Sequence, residues 1–176
     1  MINFAYGSNL LRERLAARLP DARFLGTARL PGYRLAFHKI GSDGSAKCDA
    51  VATPDPEACL HGVLYRLTPA EKAVLDQIER LGHGYEILSV HVLTDQGGVA
   101  AYLYAAQAGY IDPQRLPFDW YRDYVLAGAR QHGFPSQVIA DIAAMATMVD
   151  PDEDRRRLNQ GILQRALASG DGWVRR

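Results

Sequence analysis

The strongest constraint on this sequence is a division of pattern along its length. Strand-like runs dominate as far as residue 105, and everything from Pro117 onward has the apolar periodicity of helices. Runs at 23–30 and 33–38 flank Pro31-Gly32, which predicts a hairpin. Longer runs at 85–94 and 99–105 flank the turn Asp95-Gln96-Gly97-Gly98. Short apolar runs at 1–5 and 59–67 read as further strands, and the glycine- and serine-rich stretch 41–49 reads as a mobile surface loop. A single helix interrupts this series. Thr68 is its cap, Pro69 takes the first helical position, Glu71 completes a capping box, and Ala73, Val74, Leu75 and Ile78 supply its buried side. Helical stretches at 118–133, 135–148 and 150–170 follow. Strands, one helix, several antiparallel strands and then helices predict an α+β chain built on a curved sheet or small barrel.

Composition narrows what such a fold can do. A length of 176 residues suits one domain, and 48% apolar residues support a packed core. Lys plus Arg and Asp plus Glu are equal at 20 each, so there is no electrostatic footprint for nucleic acid or an acidic membrane surface. No leader pattern and no membrane-spanning apolar stretch is visible, and two cysteines, Cys48 and Cys59, are too few for a disulfide framework. The expectation is a soluble cytoplasmic protein. His38, His61, His83, His91 and His132 lack metal-ligand spacing, so no metal site is expected.

Two features carry candidate chemistry. The first is "NFAYGSNL", in which a short strand meets a helix at Gly7-Ser8-Asn9. Unpaired N–H groups at such a junction favour a carboxylate, a phosphate or a developing oxyanion, and glycine admits a ligand closely. The plainer reading is that Ser8 and Asn9 cap the helix, with Leu10, Leu11, Leu15 and Leu19 as its apolar stripe. Ser8 is not framed as a hydrolase nucleophile, because the Gly-x-Ser-x-Gly elbow is incomplete, and the lysine of a phosphate loop is missing. The second feature is Glu79, at the end of the capped helix before the glycine-bracketed "RLGHGY". A carboxylate there can project into a cleft as a general base, or it can be a solvated residue pairing with Arg80 or Lys72. Asp76 either shares its face as a second acid or serves as a structural hydrogen-bonding partner. Tyr102, Tyr104, Trp120, Tyr121 and Tyr124 read as aromatics of the core or of a cleft wall, and Arg155, Arg156 and Arg157 as a solvated helix face.

Taken together, "FAYGSNL", "HGVLYRLTPAEKAVLDQIE" and "YRDYVLAGARQHGFP" resemble the gamma-glutamylcyclotransferase family, including its AIG2-like and gamma-glutamylamine cyclotransferase members. The resemblance runs in order from Met1 to about Ile142. It implies a small mixed β-barrel core with flanking helices, taken over residues 1–149; residues 150–176 lie outside the matching region and are expected as a helical extension packed on the same domain. It also implies cyclisation of a gamma-glutamyl group to 5-oxoproline with release of an amine or amino acid, and no cofactor. The catalytic acid corresponds to Glu79; the binding loop corresponds to Tyr6, Gly7, Ser8, Asn9 and Leu10, and a site-lining tyrosine to Tyr121. The expected partner is a small gamma-glutamyl substrate. Family members commonly carry glycine directly after the catalytic glutamate, whereas here Arg80 and Leu81 precede Gly82. The tail beyond residue 150 either covers the site or serves an interface, which leaves a homodimer open. The competing reading is a non-catalytic module that captures a carboxylate or peptide end on the same fold, and burial of Glu79 against the Gly7-Ser8 turn separates the two.

Overall fold

The computed structural model describes residues 1–169. Five strands close into a barrel in the order β1 (Ile2–Ala5), β5 (Cys59–Arg66), β2 (Arg23–Pro31), β6 (Tyr85–Thr94), β7 (Gly97–Ala106) and back to β1. Four of its contacts are antiparallel. The closing contact, Asn3 opposite Tyr102, is parallel, so the barrel is mixed, as the resemblance implied. A register shift between Phe24 and Gly26, where Gly26 has φ 138°, bends β2 enough for it to pair on both edges. Met1 does not hang free, because its ammonium donates to the Leu67 carbonyl at 2.9 Å.

The remaining strands, β3 (Tyr33–Ile40) and β4 (Ala46–Ala52), form a separate antiparallel pair beside the barrel. Two expectations are corrected here. Pro31-Gly32 does not fold β2 onto β3 as a hairpin; it passes the chain from the barrel to the second sheet, with Gly32 at φ 74°. Nor is 41–49 one mobile loop. Its second half is β4, in which Ala46, Cys48, Asp49 and Ala50 are all buried. Small residues hide the apolar alternation of that strand from a hydrophobicity reading, and its burial comes from distant partners.

The helix α2 (Pro69–Ile78) starts with the complete Thr68–Glu71 capping box. Its buried side is narrower than expected, since Leu75 is buried while Val74 and Ile78 stand exposed. Before it, Ser8–Leu10 forms a 3-10 turn and α1 spans only Arg12–Ala16, yet Leu10, Leu11, Leu15 and Leu19 all reach the core. The long helix α3 (Asp119–Gln131) lies directly on this turn. A side chain at Gly128 would sit 2.4 Å from the Leu10 Cβ, so glycine is what allows the contact. Helix α4 (Ser136–Ala143) packs on α3. Helix α5 (Glu153–Ser169) lies across α1 and α3, where the Tyr124 hydroxyl donates to the Asn159 carbonyl at 2.9 Å. Residues 170–176 of the expected extension lie outside the described residues. Among the described residues no helix is long and apolar enough to cross a membrane.

Candidate active site

At the end of β1 the chain turns sharply through Tyr6 and Gly7 into the 3-10 turn. Leu10 N–H donates back to the Gly7 carbonyl at 2.9 Å, while Ser8 and Asn9 N–H find no acceptor among the described residues. These are the orphan donors of a helix start, and they open on a cleft with about 380 Å³ of empty space. The floor of the turn is tightly built. An added Cβ at Gly7 would lie 3.0 Å from the Cys48 Cβ and 3.6 Å from the Tyr121 hydroxyl, so only glycine fits unstrained between them.

Cys48, on β4, is the hinge of the cleft wall. Its N–H donates to the Tyr121 hydroxyl at 3.1 Å, and its carbonyl accepts from the Tyr85 hydroxyl at 2.6 Å. Tyr6 donates to the Tyr104 carbonyl, and the Tyr104 hydroxyl donates to Asp76 at 2.7 Å. Burial pushes the phenols of Tyr6, Tyr85 and Tyr121 well above their usual range, and the Cys48 thiol up to about 12. These walls therefore remain neutral at physiological pH, with each phenol fixed as a hydrogen-bonding strut.

Glu79 terminates α2 and enters this neutral cleft from the other side, with its side chain 18% exposed. One carboxylate oxygen accepts from the Asn9 side-chain amide at 3.0 Å and lies 3.7 Å from the Arg18 guanidinium. Arg18 in turn donates to the Asn9 side-chain oxygen at 2.9 Å. Asn9 is thus spent differently from the cap expected of it. Leu11 stands at the start of α1, with no side-chain cap, and Asn9 joins the loop to Glu79 across 70 residues of sequence. A carboxylate oriented by an amide and a guanidinium, and mostly shielded from water, can take up and return a proton at a fixed point.

The fold brings Tyr6, Gly7, Ser8, Asn9, Tyr121 and Glu79 together around one cleft, together with Cys48, Tyr85 and Tyr104. Leu10 is not part of its wall; it is 1% exposed and anchors the turn beneath α3. Asp76 takes the structural role, held by Tyr104 and by Lys72 at 2.7 Å. The sequence does not mark out Cys48, whose strand reads as a loop, or Arg18, which sits among other helical charges. No histidine lines the cleft, and no three of the described His, Cys, Asp or Glu side chains converge as metal ligands.

Known proteins resemble this chain in sequence and in fold. The family described as "Gamma-glutamyl cyclotransferase, AIG2-like" matches residues 3–123. The gamma-glutamylcyclotransferase of Mus musculus is 28% identical over 160 residues, covering 89% of this chain and 82% of that protein. That of Bos taurus is 30% identical over 136 residues, covering 75% of this chain and 71% of its own. Among solved structures, a gamma-glutamyl cyclotransferase superposes with a TM-score of 0.80 at 22% identity, over 94% of this chain and 98% of that one, which establishes the shared fold.

Proposed function

This chain belongs to the AIG2-like gamma-glutamyl cyclotransferase family, and from that premise we propose that Glu79 and the Gly7-Ser8-Asn9 turn carry out its reaction. It is an enzyme of the gamma-glutamylcyclotransferase type. The substrate brings its own nucleophile, the α-amino group of its gamma-glutamyl unit. Glu79 takes a proton from that nitrogen, which attacks the γ-carbonyl carbon and forms the ring C–N bond. The old amide C–N bond then breaks, and the proton held by Glu79 passes to the departing nitrogen, giving 5-oxoproline and a free amine. Ser8 and Asn9 N–H hold a substrate oxygen, either the carboxylate or the oxyanion that develops on the γ-carbonyl. Because attack is intramolecular, folding the substrate into its attack geometry supplies much of the acceleration, and the close floor under Gly7 defines that geometry. Ser8 serves as a backbone donor in this scheme, in keeping with a cleft that has no histidine to activate it.

The observation that carries this reading is the Asn9–Glu79 hydrogen bond, which fixes the proton carrier to the loop that holds the substrate. The test is to measure 5-oxoproline released from a panel of gamma-glutamyl amino acids, amides and amines. Wild-type protein is expected to release it, and Glu79→Gln to lose turnover by about 10²–10⁴-fold while melting at the wild-type temperature. Undiminished turnover in Glu79→Gln would remove Glu79 from the mechanism. Binding without turnover across the panel would favour the carboxylate-capturing module instead.

A further inference from the structure

Beyond Glu79 the cleft continues into a second cavity with about 670 Å³ of empty space. Ser8, Glu79, Tyr85 and Tyr121 line both spaces, so a molecule whose reacting bond lies at Glu79 extends into the two at once. The second space differs sharply in charge. Arg14, Arg18, Lys39, Lys47 and Arg80 face it, against Asp43 and Glu79 as its acids. Lys47 is neutralised by Asp43 at 2.7 Å, and Arg18 lies against Glu79 at 3.7 Å. Arg14, Lys39 and Arg80 form no ion pair among the described residues.

Lys39 and Arg14 are held away from water at some expense, and Arg80, which is exposed, is held by an unusual backbone. Lys39 is only 5% exposed, with its ammonium 4.5 Å from the centre of the Tyr85 ring and no hydrogen-bond acceptor among the described residues. Its burial lowers its pKa, and Glu79 is the first group that opposes this. Arg14 lies over the Tyr124 ring at 4.1 Å with its Nε enclosed and unpartnered, and burial pulls it down to about 10. Arg80 has φ 55°, and among the described residues no other non-glycine residue has a positive φ. Glycine would occupy that backbone position without strain, but it would bring no charge to the cavity. Buried cations without an ion-pair partner, such as Lys39 and Arg14, are unfavourable unless an anion arrives to pair with them, and a strained residue such as the exposed Arg80 persists where function requires it.

We infer that this annex receives the leaving group, and that the preferred leaving group carries two negative charges, as an acidic amino acid does with its α-carboxylate and side-chain carboxylate. The inference rests on the cyclotransferase reading above. The glutamyl unit occupies the smaller space beside the Gly7 turn, and the departing amine projects past Glu79 toward Lys39, Arg80 and Arg14. A neutral amine leaves all three cations unanswered, and a simple amino acid leaves two.

The test uses gamma-glutamyl-alaninamide, gamma-glutamyl-alanine and gamma-glutamyl-aspartate, which present zero, one and two negative charges on the leaving group. With 5-oxoproline release as the readout, kcat/KM is expected to rise about tenfold with each charge, as one charge-assisted contact allows, with KM carrying most of the change. Lys39→Met and Arg80→Gly should each lower kcat/KM for the aspartate substrate about tenfold more than for the alaninamide. Arg80→Gly suits its backbone, so this arm holds even if Lys39→Met fails to fold. A flat series, a series that stops rising at alanine, or variants that lower all three substrates equally would overturn the inference and leave the reaction assignment standing. Turnover of other gamma-glutamyl compounds but of none of these three would overturn the inference alone, and absence of 5-oxoproline from the whole panel would overturn the reaction assignment and this inference with it.

Discussion

Substituting Gly7 by alanine tests the construction of the cleft at its tightest point. The new methyl would stand 3.0 Å from the Cys48 Cβ and 3.4 Å from its Sγ, where ordinary contact begins at 3.4 Å. The turn and β4 must therefore part by a few tenths of an ångström. β4 cannot yield freely, because both polar backbone groups of Cys48 are held, one by Tyr121 and one by Tyr85. Overpacking of this kind costs about 1–3 kcal/mol. For a domain of this size that lowers Tm by about 2–12 °C, at about 2–4 °C per kcal/mol. The displacement also moves Ser8 and Asn9 relative to Glu79. A 1 Å error in such geometry costs about a hundredfold, so a few tenths should lower kcat for 5-oxoproline release by about three- to sixfold. Rescue makes the reasoning sharp. Cys48→Ala keeps the offending Cβ and should not restore Gly7→Ala, whereas Cys48→Gly removes it and should recover most of the lost activity. A Gly7→Ala protein with wild-type kcat and Tm, or equal rescue by both Cys48 variants, would refute the argument.

Other consequences are open to direct measurement. Asn9→Ala removes the amide that orients Glu79, and is expected to lower kcat about tenfold while the melting temperature stays close to wild type, since the contact is partly exposed. Tyr85→Phe leaves the buried Cys48 carbonyl without its donor, and should destabilise the protein by about 1–3 kcal/mol in urea titration. Asp150 is held down at about 2, below the usual carboxylate range, chiefly by its hydrogen bonds from Arg155. Because the folded value is depressed, its contribution is complete above the unfolded pKa and is lost as pH falls toward about 2. The stability difference between wild type and Asp150→Asn should accordingly shrink between those values in acid titrations followed by circular dichroism. Cys48 should resist a thiol reagent at pH 8 until the protein is unfolded, while Cys59, which is less buried, reacts in the native state.

What the sequence disclosed depended on how local the controlling interaction was. The Thr68–Glu71 box and the strands β5, β6 and β7 are set by neighbours in sequence or by strong apolar runs, and they stand where their residues predict them. Asn9 shows the opposite case. A cap for the adjacent helix and a bond to Glu79 compete for one side chain, and no local signal reveals that the distant partner wins. Cys48 was hidden because its strand is made of small residues, so its burial depends on Tyr85, Tyr121 and Gly7, none of them near it in sequence. Val74 and Ile78 misled in the other direction, since helical spacing predicts a face but not how much of it the barrel will cover.

Closure of the barrel by β1 makes an early part of the chain depend on parts made much later. Its partners lie at Val63 to Arg66 and at Tyr102, and the floor of its turn needs Cys48 and Tyr121. β1 is made before any of these partners and cannot take its place until they exist. Until Tyr121 has been synthesised, the turn at Gly7 has no finished surface to rest on. Catalytic competence thus waits for Tyr121, because the turn that holds the substrate and the helix that supports it lie far apart in sequence.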